Sequence, residues 1–168
     1  VTQEEKKILL IGYGNPARGD DGLGPALARA VAARNLPGVQ VETGFQLAVE
    51  DVLEMAGRDE VIFADASVDG PEPFFFRPQE AEPGEETFTT HHFRPGSLVA
   101  LAVELFDVRP RTWVLGIRGY DFEMFKEELS PKAERNLEEA LSFLLPFLEG
   151  GRGPGKGGAF QTFTGEKR

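Results

Sequence analysis

Asp20 and Asp21 stand side by side in a glycine-rich stretch, Gly12-Tyr13-Gly14-Asn15-Pro16-Ala17-Arg18-Gly19-Asp20-Asp21-Gly22-Leu23-Gly24. A third carboxylate, Asp65, follows the apolar run Val61-Ile62-Phe63-Ala64, and the only two histidines of the chain are the adjacent His91 and His92. Carboxylates and an imidazole together suit a borderline divalent cation such as Ni²⁺ or Zn²⁺. Three protein donors, Asp21, Asp65 and an imidazole from the 91/92 pair, would leave positions open to water or to a partner. The same residues also have ordinary uses: an aspartate complements a helix N-terminus or caps a loop, and a histidine pair in a polar segment is commonly just solvated.

The elements that must position these groups follow from periodicity. Ile8 to Ile11 form a buried strand that runs into the glycine-rich stretch, and Leu23, Leu27 and Val31 then step at helical spacing, with Pro25 in the first turn. The stretch is therefore a strand-loop-helix switch, with its carboxylates near the carboxyl end of the strand, where open α/β sheets keep their sites. Asn35-Leu36-Pro37-Gly38 breaks the pattern, and Val39 to Phe45 alternates as a second strand ending at Gly44. Leu47, Val49, Val52, Leu53 and Met55 predict a helix of about twelve residues. Val61 to Ala64 reads as a central parallel strand covered on both faces. Two right-handed β-α-β steps then bring Asp65 to the same edge of the sheet as the opening loop.

Phe74-Phe75-Phe76-Arg77, bracketed by Pro71, Pro73 and Pro78, predicts a strand at a sheet edge. The acidic segment from Pro78 to Thr90 reads as a mobile surface loop leading to the two histidines, and Pro95-Gly96-Ser97 opens a helix. Thr112 to Ile117 predicts the last strand, and Ser130-Pro131 caps a final helix with Ala133, Leu137, Leu141, Leu144, Leu145 and Leu148 on its apolar face. These alternations specify an α/β, three-layer architecture: a twisted, mostly parallel sheet of about five strands with helices on both faces. Residues 1–149 form a single domain, and 150–168 read as a disordered Gly-rich basic tail.

With 28 acidic and 18 basic residues the formal net charge is −10, and removing the basic tail makes the remainder more acidic still. That balance argues against nucleic acid or an anionic membrane as the main partner and favours a cation or a basic peptide segment. The absence of cysteine removes disulfides, thiolate metal sites and a cysteine nucleophile. No stretch has the length and apolarity of a signal peptide or a membrane helix, so the expectation is a soluble cytoplasmic protein.

Two other chemistries fit less well. Gly12-x-Gly14-x-x-Ala17 matches a loose dinucleotide fingerprint, with Glu42 available to a ribose, which would make the chain a nucleotide-dependent enzyme on a Rossmann-like sheet. Pro16, Gly19 and Gly22 delay the helix, however, and Asp20 and Asp21 place negative charge where pyrophosphate would lie. Ser67, Ser97, Ser130 and Ser142 lie in no G-x-S-x-G elbow. A non-catalytic nickel-binding chaperone module would use the same donors as a metal-directed enzyme.

The opening G-x-G-N-x-x-x-x-D-[DE]-x-x-G, here Gly12, Gly14, Asn15, Asp20, Asp21 and Gly24, resembles that of the [NiFe]-hydrogenase maturation endopeptidases. So do Ala64-Asp65-Ala66 after the third strand and a histidine opening the next helix, and the likeness spans about Ile8 to Leu148. The resemblance implies a peptidase domain that removes a C-terminal extension from the hydrogenase large-subunit precursor once nickel is in place. It also implies a metal-contacting and catalytic trio that becomes Asp21, Asp65 and His91. The resemblance further implies that the nickel is supplied by the precursor, the implied partner, rather than held as a resident cofactor. Asp21 stands where some members have glutamate. His91 is preferred over His92 because H-x-apolar-x-P, here His91, Phe93 and Pro95, then falls in register. Gln46, Arg118 and the acidic 80–86 segment are weaker candidates for gripping the substrate tail.

Overall fold

The computed structural model describes residues 4–82 and 93–150. His91 and His92, most of the acidic loop and residues 151–168 of the expected tail lie outside the described residues.

Four strands and then a fifth assemble in the order β2-β1-β3-β5-β4: β1 (Ile8–Tyr13), β2 (Val39–Gly44), β3 (Glu60–Ser67), β4 (Phe74–Pro78) and β5 (Arg111–Arg118). The β1-β2, β1-β3 and β3-β5 pairs are parallel, and β4 closes one edge antiparallel to β5. Prolines explain the edge position, since Pro78 has no N–H to give a further ladder. Glu60 to Ala64 are buried, as a strand in the middle of a doubly covered sheet requires.

Alternation sorts the apolar side chains onto two faces. Leu10, Ile62, Ala64, Leu115 and Ile117 meet α1 (Leu23–Ala32) and α4 (Pro131–Gly150) on one side. Leu9, Ile11, Val61, Phe63 and Val114 meet α2 (Asp51–Met55) and α3 (Pro95–Phe106) on the other. Three layers result, with a core on each side of the sheet. The edge strand joins the first core through Phe74 and Phe76, on the same face as Trp113: Phe76 stacks on Trp113 at 4.9 Å between ring centroids, with Phe147 at its edge. Beneath that cluster the buried Glu60 accepts from Lys6 Nζ at 2.7 Å and from Trp113 Nε1 at 3.2 Å. It lies at the amino end of β3, away from the rim where Asp65 stands.

The second helix is shorter than its sequence predicts, a turn and a half over Asp51–Met55 instead of about twelve residues. Leu47, Val52 and Met55 are buried, but Val49 and Leu53 are 46% and 63% exposed, so the apolar positions do not make one helical face. Asp51 folds its carboxylate back onto the N–H of Ala48 at 2.7 Å, which fixes a turn ahead of the helix, and Gly57 at φ +75° follows its end.

Candidate active site

The glycine-rich loop is built from its own backbone. Gly14 leaves β1 with φ +142°, and a Cβ there would collide with the carbonyl oxygen of Asp21. Asn15 then works at both ends: its N–H donates to Asp21 Oδ2 at 2.7 Å, and its side-chain oxygen accepts from Ala17 N at 3.0 Å. A single 3-10 turn, Gly19–Gly22, carries the two aspartates and passes directly into α1. Gly24 in the first turn of α1 lies on the strand ends, where a Cβ would come within 2.5 Å of the Ala64 carbonyl oxygen. The spacing of the motif is thus the spacing needed to seat a helix on β1 and β3 and turn Asp21 toward Gly14.

The neighbouring carboxylates have separate fates. Asp20 is 0% exposed and accepts from Tyr120 N, Asp121 N, Ser130 N and the Ser130 hydroxyl at 2.7–3.0 Å. Burial alone would raise its pKa, but the N–H groups of Asp121, Ser130 and Tyr120 and the Ser130 hydroxyl outweigh it and hold Asp20 below the usual carboxylate range. Asp20 is therefore structural, and Asp21 is half-buried beside the loop glycines.

Asp65 directly follows the buried part of β3, one residue beyond the Gly12-Ala64 pair, which sets it beside Tyr13. Burial, and then the charge of Asp21, push its pKa up to about 6, against the opposing N–H of Ala66 and the hydroxyl of Tyr13. Burial, the Asp65 charge and the bond given to Asp65 hold the Tyr13 phenol above its ordinary value. Two of the three expected donors, Asp21 and Asp65, are thus brought within electrostatic reach of one another at one rim of the sheet. The third, His91, lies outside the described residues, and among the described residues no group of three His, Cys, Asp or Glu side chains could hold a metal ion.

Tyr13 is a residue that motif reasoning passes over. Its signal is register: with β1 beside β3, the last residue of β1 must stand next to Asp65. A cleft of about 640 Å³ runs from this pair across the sheet, lined by Tyr13, Asp65, Ser67, Gly116, Phe75 and Arg77 among others. The Phe75 ring lies on Gly116, whose missing side chain leaves the room for it, and Arg77 stacks on that ring at 4.9 Å.

The weaker candidates divide as well. Arg118 is committed internally, its Nη1 donating to Gly70 O at 2.7 Å and its guanidinium lying over Tyr120. Gln46 is exposed just beyond the end of β2. Of the acidic segment, Glu82 is tied by its N–H to Gly96 O at 3.0 Å, and residues 83–86 lie outside the described residues. Glu42, the residue a dinucleotide would need for its ribose, accepts instead from Gln40 Nε2 at 2.9 Å.

No protein-family model matches the chain, and comparison with curated proteins finds no match in sequence. Comparison with solved structures does. The crystal structure of the [NiFe] hydrogenase maturation protease HycI from Thermococcus kodakarensis KOD1 superposes with a TM-score of 0.66 at 22% identity, covering 87% of this chain and 94% of that one. The fold is that of the hydrogenase maturation proteases. The hydrogenase maturating endopeptidase HybD from E. coli gives a TM-score of 0.64 at 24% identity over 86% of this chain and 93% of its own. The solution structure of the endopeptidase HycI from Escherichia coli gives 0.62 at 24% over 88% and 92%. Coverage this high on both sides means that the overall architecture, a mostly parallel sheet with helices on both faces, is shared. Among the described residues no helix is long and apolar enough to cross a membrane.

Proposed function

We propose that the chain is an endopeptidase that removes the C-terminal extension of a [NiFe]-hydrogenase large-subunit precursor after nickel insertion. The observation that carries this reading is the pairing of Asp21 and Asp65 at the rim, on a fold shared with proteins described as hydrogenase maturation proteases. Two carboxylates, one of them raised to about 6 by burial and by the other's charge, make a place where a divalent cation relieves repulsion. His91 is the third donor in this proposal.

The cation belongs to the substrate. Asp21, Asp65 and His91 engage the nickel seated in the precursor, and that engagement fixes the scissile bond relative to the cleft beside Asp65. Tyr13 orients Asp65 through its hydroxyl, and a carboxylate of the pair takes the proton released when water attacks the peptide carbonyl. Dependence on substrate nickel also sets the order of events: an unloaded precursor offers the trio nothing to grip.

The test is incubation of the full chain with nickel-loaded and nickel-free large-subunit precursor, followed by mass measurement. Shortening of the loaded form alone supports the proposal. Stable binding with no shortening would assign the chain to a nickel-chaperone role, and stabilisation by NAD in place of nickel would return it to the nucleotide-dependent class.

A further inference from the structure

Between β5 and α4 the chain forms a loop, residues 119–130, whose shape is set from beneath. The buried Asp20 takes four hydrogen bonds from it, and backbone bonds from Gly19 N to Lys126 O at 2.7 Å, Lys126 N to Ala17 O at 3.1 Å and Asp20 N to Asp121 O at 2.7 Å tie it to the glycine-rich loop. Lys126 Nζ bridges Asp121 at 2.7 Å and Glu123 at 3.0 Å. A loop held at this many points has one defined conformation.

Its tip nevertheless presents apolar surface to water. Phe125 is 90% exposed and Met124 is 54% exposed. Phe125 also has φ +62°, a left-handed conformation that is strained for a bulky residue and that glycine would adopt freely. The ring itself does little to offset that strain, because it is almost wholly exposed. Beside the ring lies an open groove of about 700 Å³, lined by Ala17, Asp121, Lys126, Glu127, Glu128 and Leu129 among others, and the charge of Lys126 is already met by Asp121 and Glu123. Glu127 and Glu128 are exposed, and among the described residues neither has an ion pair.

We propose that this loop is a docking element for a protein partner, in which Phe125 and Met124 enter an apolar pocket and the groove receives a lysine or arginine flanking that pocket. An exposed aromatic on a rigid support is the kind of residue that dominates interface energetics, and the free glutamates select a basic surround. The backbone bonds to Ala17 and Gly19 tie the docked surface to the same glycine-rich loop that carries Asp21, so that partner recognition and the carboxylate rim share one support. The partner's identity rests on the processing reading: it is the large-subunit precursor.

The experiment measures both binding and shortening of the nickel-loaded precursor by the full-length chain, its Phe125→Ala variant and a Glu127→Lys/Glu128→Lys variant. Each variant should weaken binding tenfold or more and raise KM with kcat little changed, while the thermal midpoint stays at the wild-type value. Shortening with unchanged affinity in the variants overturns the docking proposal and leaves the processing reading standing. Binding that the variants weaken, without any shortening, supports docking and refutes processing. No binding by the wild type, or sedimentation showing that Phe125 instead holds two copies of this chain together, overturns the docking proposal outright.

Discussion

Ser130 gives Asp20 two hydrogen bonds, N–H to Oδ1 and hydroxyl to Oδ2, each 2.7 Å long, across 110 residues of sequence. The contact joins the first loop of the chain to the start of the last helix, and it explains why two aspartates occur in succession. Asp20 holds the loops together from inside, and that leaves its neighbour Asp21 to face the rim. A single carboxylate could not do both, because one that is fully buried and turned toward the Tyr120–Ser130 donors cannot also face a cation at the rim.

Removing the Asp20 carboxylate should therefore be costly. Asp20→Ala strands buried N–H groups of Tyr120, Asp121 and Ser130, and about 2–4 kcal/mol of stability should be lost in chemical denaturation. The pH dependence has a definite sign. A depressed folded-state pKa gives stability that is present above the unfolded value of about 4 and is lost as pH falls through the folded value. Asp20→Asn should flatten this acid limb.

Asp65 works in the opposite direction. Its pKa of about 6 in the folded state exceeds the unfolded value, so folding holds the proton more tightly and stability falls as pH rises from about 4 to about 6. Asp65→Asn should make the protein more stable at pH 7, by on the order of 1–2 kcal/mol, while abolishing processing. A variant less stable than wild type at pH 7 would contradict this.

The coupling between the two rim carboxylates can be read directly. In metal-free protein, the Asp65 side-chain carbon followed by NMR should titrate near pH 6, and Asp21→Asn should move that titration down. An unmoved titration would mean that the two groups do not share a site.

For the proposed reaction, Asp21→Ala, Asp65→Ala and His91→Ala should each eliminate shortening of the nickel-loaded precursor with near-native circular dichroism, whereas His92→Ala should be mild. Equal losses at 91 and 92 would move the imidazole assignment off His91.

Gly14→Ala tests the loop rather than the chemistry. It places a Cβ against the Asp21 carbonyl at φ +142°, and a loss on the order of 3 kcal/mol or a displaced Asp21 is expected. A fully active variant of wild-type stability would show that Asp21 does not depend on this turn.

Much of the architecture was legible because it follows from local pattern. The apolar run at 61–64 announced a central strand, the prolines around Phe74-Phe76 announced an edge, and Ser130-Pro131 announced the start of α4. The helix after β2 is shorter than its sequence predicts for a physical reason: Val49 and Leu53 are apolar but exposed, and composition cannot distinguish a residue facing the core from one facing water.

By itself the sequence determined the strand-loop-helix switch, the parallel core strands and the arrival of Asp21 and Asp65 at one edge, because periodicity and glycine spacing are properties of neighbouring residues. Only the tertiary structure decided which of two adjacent aspartates is buried, that Tyr13 stands against Asp65, that Arg118 is spent on Gly70, and that Phe125 projects into water. Each of those outcomes depends on partners up to 110 residues away, and hydrogen bonds and charge coupling at that separation exist only once the sheet has brought the strands together.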